Sequence, residues 1–283
     1  MNATRPSNEV IPMRLLALPL LLLPGLAFAA TTTEPSPAEI DGIIQKFAAK
    51  ETEFAKAREN YTYRQTVRVE ELDPGGSPQG KWEMVSDIIF GQDAKRTEKV
   101  VYAPVPTLQN ILLTPEDMQD LRDIQPFVLT SQQIPEYNIR YLGRQQLDEI
   151  PCYEFTVKPK KMESGKRYFE GEVWVDDKDL QIVKSYGKGV GVIKRNSDNQ
   201  FPKFETYRQQ IDGKYWFPTY TYANDTLQFQ AGPQRIKMIV KYQDYKQFKS
   251  DVQIKFGDAA PESPQPDQPK PAPPTAPPNP KEP

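Results

Sequence analysis

Residues 168–184 read YFEGEVWVDDKDLQIVK, and their alternation decides the fold. In the first arm Phe169, Val173 and Val175 alternate with Tyr168, Glu170, Glu172 and Trp174; in the second, Leu180 and Ile182 alternate with Gln181 and Val183. A period of two turns one face to a core and leaves the other mixed, as a half-buried strand does and a helix does not. Between the arms stand Asp176, Asp177 and Asp179, short carboxylates able to accept from backbone N–H groups in a turn. The segment is a β-hairpin closed by an acidic turn.

The pattern continues outward in both directions. Strands are expected at 61–69, 82–90, 95–102, 137–146, 151–158, 167–176, 180–187, 202–211, 214–224 and 233–247. Short turns such as Asp73-Pro74-Gly75-Gly76 and Asp212-Gly213 imply antiparallel neighbours in a meander. Before the strands, Ser36 and Pro37 open a helix over 37–59, whose stripe of Ile40, Ile43, Ile44, Phe47 and Phe54 needs a sheet to lie against. Pro104 and Pro106 end the third strand; Leu108 to Leu113 then reads as a short helix, and a second is capped by Thr114. The fold class is α+β: a large curved antiparallel sheet, an open half-barrel of about 10–11 strands, with helices covering its concave face.

Just before the hairpin lies GRQQLDEIPCYEFTVKPK, Gly143 to Lys160: a Gly-led strand, a turn of the L-D-E-I-P kind, and a strand ending in a Pro-bearing polar loop. Together with the W-V-D strand and turn at Trp174 to Asp176, in a chain with an export signal, this resembles the LolA-like superfamily of periplasmic lipoprotein carriers and lipid-binding proteins, which includes RseB-type sensor domains. The likeness extends over roughly residues 38–256, its motifs lying in the middle. It implies a non-catalytic binding protein of the outer-membrane lipoprotein-sorting type, with a lipid or an acylated lipoprotein as partner. An envelope sensor module that binds a protein is the alternative, with an envelope membrane-protein complex as a further partner.

The N-terminus fits that setting. Arg14 precedes an apolar run from Leu15 to Phe28, and Ala27-Phe28-Ala29 suits a signal peptidase, so residues 1–29 are expected to be a cleaved signal and the protein periplasmic. Met13 is an alternative start. The run of 14 residues, broken by Pro19 and Pro24, is short of the roughly 20 that cross a bilayer, so contact with a membrane is at most peripheral. No Cys follows it, unlike in the lipidated relatives. Residues 30–37 form a linker to a domain over 38–257. The last 26 residues, 258–283, hold 11 prolines and no apolar side chain larger than Ala, the composition of a disordered, polyproline-prone tail.

Composition removes whole classes of chemistry. There is no histidine and one cysteine, Cys152, so neither a Ser-His-Asp nor a Cys-His nucleophile can be built, nor a disulfide within the chain, nor a closed zinc site of N and S ligands. Cys152 reads as a small buried hydrophobe. Without residues 1–29 the chain has 34 basic and 37 acidic residues, a formal charge of −3, which argues against nucleic acid. The cluster Asp176, Asp177 and Asp179 lacks the spacing of an EF-hand loop. Glu170 and Glu172 share a strand face, as glycosidase carboxylates could, but any acidic strand does the same. Gly187, Gly189 and Gly191 precede no helix, so they bend the sheet or admit a close neighbour instead of cradling phosphate. No catalytic group, metal or cofactor is expected.

What remains is an excess of aromatic and apolar side chains. A curved sheet closed incompletely by helices leaves a hollow, and burying each methylene of an acyl chain there is worth roughly 0.8 kcal/mol. Candidate lining residues, taken from strand faces and helix stripes, are Trp82, Ile88, Phe90, Leu108, Leu112, Met118, Leu121, Trp174, Trp216 and Tyr220. Ile111 and Phe229 belong to the same apolar set.

Overall fold

Helix α1 (Pro37–Ala57) begins at a capping box: the Ser36 hydroxyl accepts from the Glu39 N–H, and the Glu39 carboxylate accepts from the Ser36 N–H at 2.7 Å. In the computed structural model, which describes residues 34–91, 95–192 and 201–248, ten strands follow it. They are β1 (Tyr61–Leu72), β2 (Pro78–Phe90), β3 (Arg96–Tyr102), β4 (Tyr137–Leu147), β5 (Ile150–Pro159), β6 (Arg167–Asp176), β7 (Ile182–Gly191), β8 (Phe204–Ile211), β9 (Tyr215–Phe229) and β10 (Gly232–Gln247). A short helix α2 (Pro115–Gln119) lies between β3 and β4 and widens into a single π turn at Asp120–Ile124.

All the strands form one antiparallel sheet in the order β3-β2-β1-β10-β9-β8-β7-β6-β5-β4. Neighbours in the sheet are consecutive in sequence everywhere except at one seam. There β10 returns to pair with β1, Val67 opposite Val240. The sheet is open, with β3 and β4 as its edges.

Alternation along each strand sends one set of side chains to the helical side. Ile44 and Phe47 of α1 share a core with Phe155 and Val157 of β5, Val173 and Val175 of β6, and Ile182 of β7. The Phe47 and Phe155 rings meet at 5.4 Å, and Phe54 packs edge-on against Phe217 at 5.1 Å. Burying each of these side chains contributes about 1.5–3 kcal/mol. In the central hairpin Trp174 stands opposite Lys184, the register shifts between Trp174 and Val175, and Leu180, expected in the second arm, falls in the turn at φ 53° before β7 begins at Ile182.

Residues 108–113 correct one expectation: they form no helix. Instead the buried Glu71 carboxylate accepts the N–H groups of Gln109, Asn110 and Ile111 at 2.8, 2.7 and 2.6 Å, drawing three successive amides to one point outside any helical ladder. The backbone at Thr107 and Leu108 crosses directly over Gly80, where a Cβ would lie 2.4 Å from the Thr107 carbonyl. The helix expected after Thr114 is present, and its capping box pairs Thr114 with Asp117. Strand β9 runs on to Phe229, beyond the expected end at 224. The expected export signal 1–29, the tail 258–283 and the loop at Lys194 to Asn196 lie outside the described residues.

Candidate functional site

Three buried carboxylates fasten the covering segments to the sheet. On α1, Glu51 accepts from Arg208 of β8 at 3.0 and 3.2 Å and from the Ile182 N–H at 3.0 Å; Arg208 also donates to the Phe127 carbonyl. Glu71 of β1 holds residues 109–111, as described above. In the π turn after α2, Asp120 accepts from Arg167 of β6 at 2.9 and 2.6 Å, with both side chains buried. This last pair depends on a glycine. A Cβ at Gly189 would sit 2.1 Å from an Asp120 carboxylate oxygen, so only glycine lets β7 approach so closely. At Gly187 a Cβ would meet the Glu170 carbonyl at 2.4 Å, which accounts for a second glycine of that run by packing alone.

Under the segment so fastened lies a cavity of about 450 Å³, within the size range of small-molecule sites. Ile111, Leu113 and Leu121 contribute to its roof; Val69, Phe204, Leu227, Phe229, Ile236 and Met238 of the central strands form much of its floor. Leu112, 85% exposed, stands at its mouth. The polar lining consists of Asn110, Thr114, Glu116, Asp117, Asp120 and Gln125. Burial pushes the Asp117 and Asp120 carboxyls above the ordinary carboxylate range, against the pull of Thr114 on the first and Arg167 on the second. The Thr114 hydroxyl donates to Asp117 as part of the α2 capping box, and the greater part of the lining is apolar.

A second, more polar chamber of about 390 Å³ is bordered by Arg58, Arg96 and Arg122 with Tyr63, Tyr242 and Tyr245. The π turn separates the two, sending Asp120 and Leu121 to the first and Arg122 and Asp123 to the second. On the sheet face opposite α1, a ladder of tyrosines crosses the central strands. Tyr220 and Tyr222 stack at 6.5 Å, Lys184 lies over both Trp174 and Tyr207 at 5.0 Å, and Tyr186 and Tyr207 are about 40% exposed.

The structure places the expected lining residues in several regions. Leu112 and Leu121 line the cavity. Met118 and Trp82 pack against the main core, Ile88 is fully buried, and Leu108 is half-buried where the chain crosses Gly80. Phe90 borders the second chamber. Trp174 and Trp216 join Cys152 and Val183 in a small cluster on the outer face, and Tyr220 belongs to the tyrosine ladder there. The floor residues Leu227, Ile236 and Met238 were not singled out from sequence, although each occupies the inward parity of its strand.

The acidic turn is structural. The Asp176 carboxylate accepts the N–H groups of Lys178 and Asp179 at 2.7 and 2.6 Å, Asp177 pairs with Arg144 at 3.2 Å, and Asp179 accepts from Gln210 and the Trp216 indole at 2.6 and 3.0 Å. Among the described residues no cluster of His, Cys, Asp or Glu could hold a metal ion. Burial pushes the Cys152 thiol up to about 12, far from a reactive thiolate. No helix among the described residues is long and apolar enough to cross a membrane.

No protein-family model matches the chain, and neither does any curated protein. Solved structures do. A DUF1329 family protein from Desulfovibrio piger is 13% identical with a TM-score of 0.39, over 78% of this chain and 96% of that one. A LolA superfamily protein from Nitrosomonas europaea is 12% identical with a TM-score of 0.34, over 74% and 93%. A domain of a putative outer membrane lipoprotein-sorting protein from Vibrio parahaemolyticus is 12% identical, also at 0.34, over 74% and 95%.

Proposed function

We propose that the protein is an exported, non-catalytic binding protein that shields an acyl chain of a lipid or lipoprotein from water within the periplasm. The observation that carries this reading is the apolar cavity beneath residues 110–121. At roughly 0.8 kcal/mol per buried methylene, a chain of about 14 carbons gains on the order of 10 kcal/mol gross, enough to outweigh much of the cost of association. Val100, Val101, Tyr102, Val105 and Leu112 are exposed in the stretch that leads to the cavity mouth, where a membrane-held chain would enter. The motif likeness to the LolA-like superfamily points the same way.

Native mass spectrometry of the gently purified protein should show added mass of lipid size. Leu227→Trp, which fills the cavity floor, should remove it. Empty protein that also fails to take up an acyl probe sinks the reading.

The tyrosine ladder favours a second reading, an envelope module that binds a protein partner, since exposed tyrosines are common anchors at interfaces. A stoichiometric partner recovered from envelope extract, and lost on Tyr207→Ala with Tyr220→Ala, would establish it.

A further inference from the structure

We propose that the cavity selects its guest by charge: it takes an acyl or alkyl chain whose polar end is uncharged or cationic and donates hydrogen bonds, and it rejects a fatty-acid carboxylate. This rests on the acyl-chain reading of the cavity. Three carboxylates line it, those of Glu116, Asp117 and Asp120, and among the described residues no lysine or arginine does. Two of them are fixed. Asp117 accepts from the Thr114 N–H and hydroxyl at 2.7 and 2.8 Å, and Asp120 is held by Arg167. Arg167 is engaged by that pair and covered by the Phe201 ring at 3.7 Å, so it presents no free cation to a guest. Glu116 is exposed and makes no ion pair among the described residues.

Gln125 adds an independent mark. It is 4% exposed and lines the same cavity; its amide donates to the Met238 sulfur at 3.2 Å, and its carbonyl oxygen is buried without a partner. A thioether is a weak acceptor, so the amide N–H facing it leaves the stronger acceptor in want of a donor. A carboxylate entering this lining would bring acceptors to acceptors and negative charge to negative charge in a poorly hydrated space. A hydroxyl, an amide N–H or an ammonium meets complementary groups. Among the described residues the cations gather in the neighbouring chamber, where Arg58, Arg96 and Arg122 converge, and not in this one.

The test titrates the delipidated full chain near neutral pH with three probes of one chain length, each below its micellar concentration: tetradecanol, tetradecylammonium and myristate. The alcohol and the ammonium should bind at least about tenfold more tightly than myristate. The exposed position of Glu116 makes Glu116→Lys safe for folding, and this variant should narrow the gap between the alcohol and myristate to about threefold by tightening myristate, while it weakens the ammonium. Myristate binding as tightly as the alcohol, or a gap that Glu116→Lys leaves unchanged, overturns the inference while sparing the acyl-chain reading. Binding of none of the three overturns both.

Discussion

At the scale of single residues, the buried charges define the molecule. Glu51 sits on the apolar stripe of α1, four residues after Phe47 and three before Phe54, and is 0% exposed. Glu71 occupies the same inward parity as Val67 and Val69. Neither departure was singled out from the sequence, and their partners could not be, because Arg208 lies 157 residues beyond Glu51. Breaking such a pair strands a buried charge. Glu51→Leu should cost about 3–5 kcal/mol. Adding Arg208→Leu should restore part of that and no more, since the Ile182 N–H and the Phe127 carbonyl then lose their partners at about 1–3 kcal/mol each. A double-mutant cycle followed by urea unfolding measures the coupling, and losses that simply add would show the pair to be energetically idle.

Among the elements, the strands were the most legible. The hairpin at 168–184 and the strands around it follow from period-two alternation, and the cap at Ser36 placed the start of α1 at Pro37, while its end at Ala57 falls short of the expected 59. Residues 108–113 were not legible, for a physical reason. Their apolar run suits a helix locally, but a carboxylate from β1 takes three of their amides and a glycine in β2 lets them pass over it. The cavity roof is therefore set by tertiary contacts, and so was hidden, while its floor follows strand parity. Glu71→Ala should free those amides at a cost of about 3 kcal/mol. Hydrogen exchange should rise at Gln109, Asn110 and Ile111 while β5, β6 and β7 stay protected; unchanged exchange at these three amides would show that the carboxylate does not hold the roof.

For the whole molecule, the sequence supports a meander of ten strands, and eight of the nine strand pairings join sequence neighbours. The seam between β1 and β10 was not legible, because alternation says which face a strand shows and nothing about which distant strand it joins. Among the described residues that seam is the only ladder binding β1, β2 and β3 to the rest of the sheet. Truncation after Phe229 should leave residues 61–102 cleavable by dilute protease while residues 137–191 resist it for longer; equal resistance of both regions would contradict the topology. The same seam governs how the chain can be made. A polypeptide emerging from its N-terminus can assemble β4 to β9 as they appear, but the first three strands must wait, unpaired on one side, until the last one arrives. Pairing across so long a loop is slow. The early strands, with Val100 to Tyr102 still uncovered at the rim of the finished sheet, are then the part of the nascent chain most in need of a chaperone's protection.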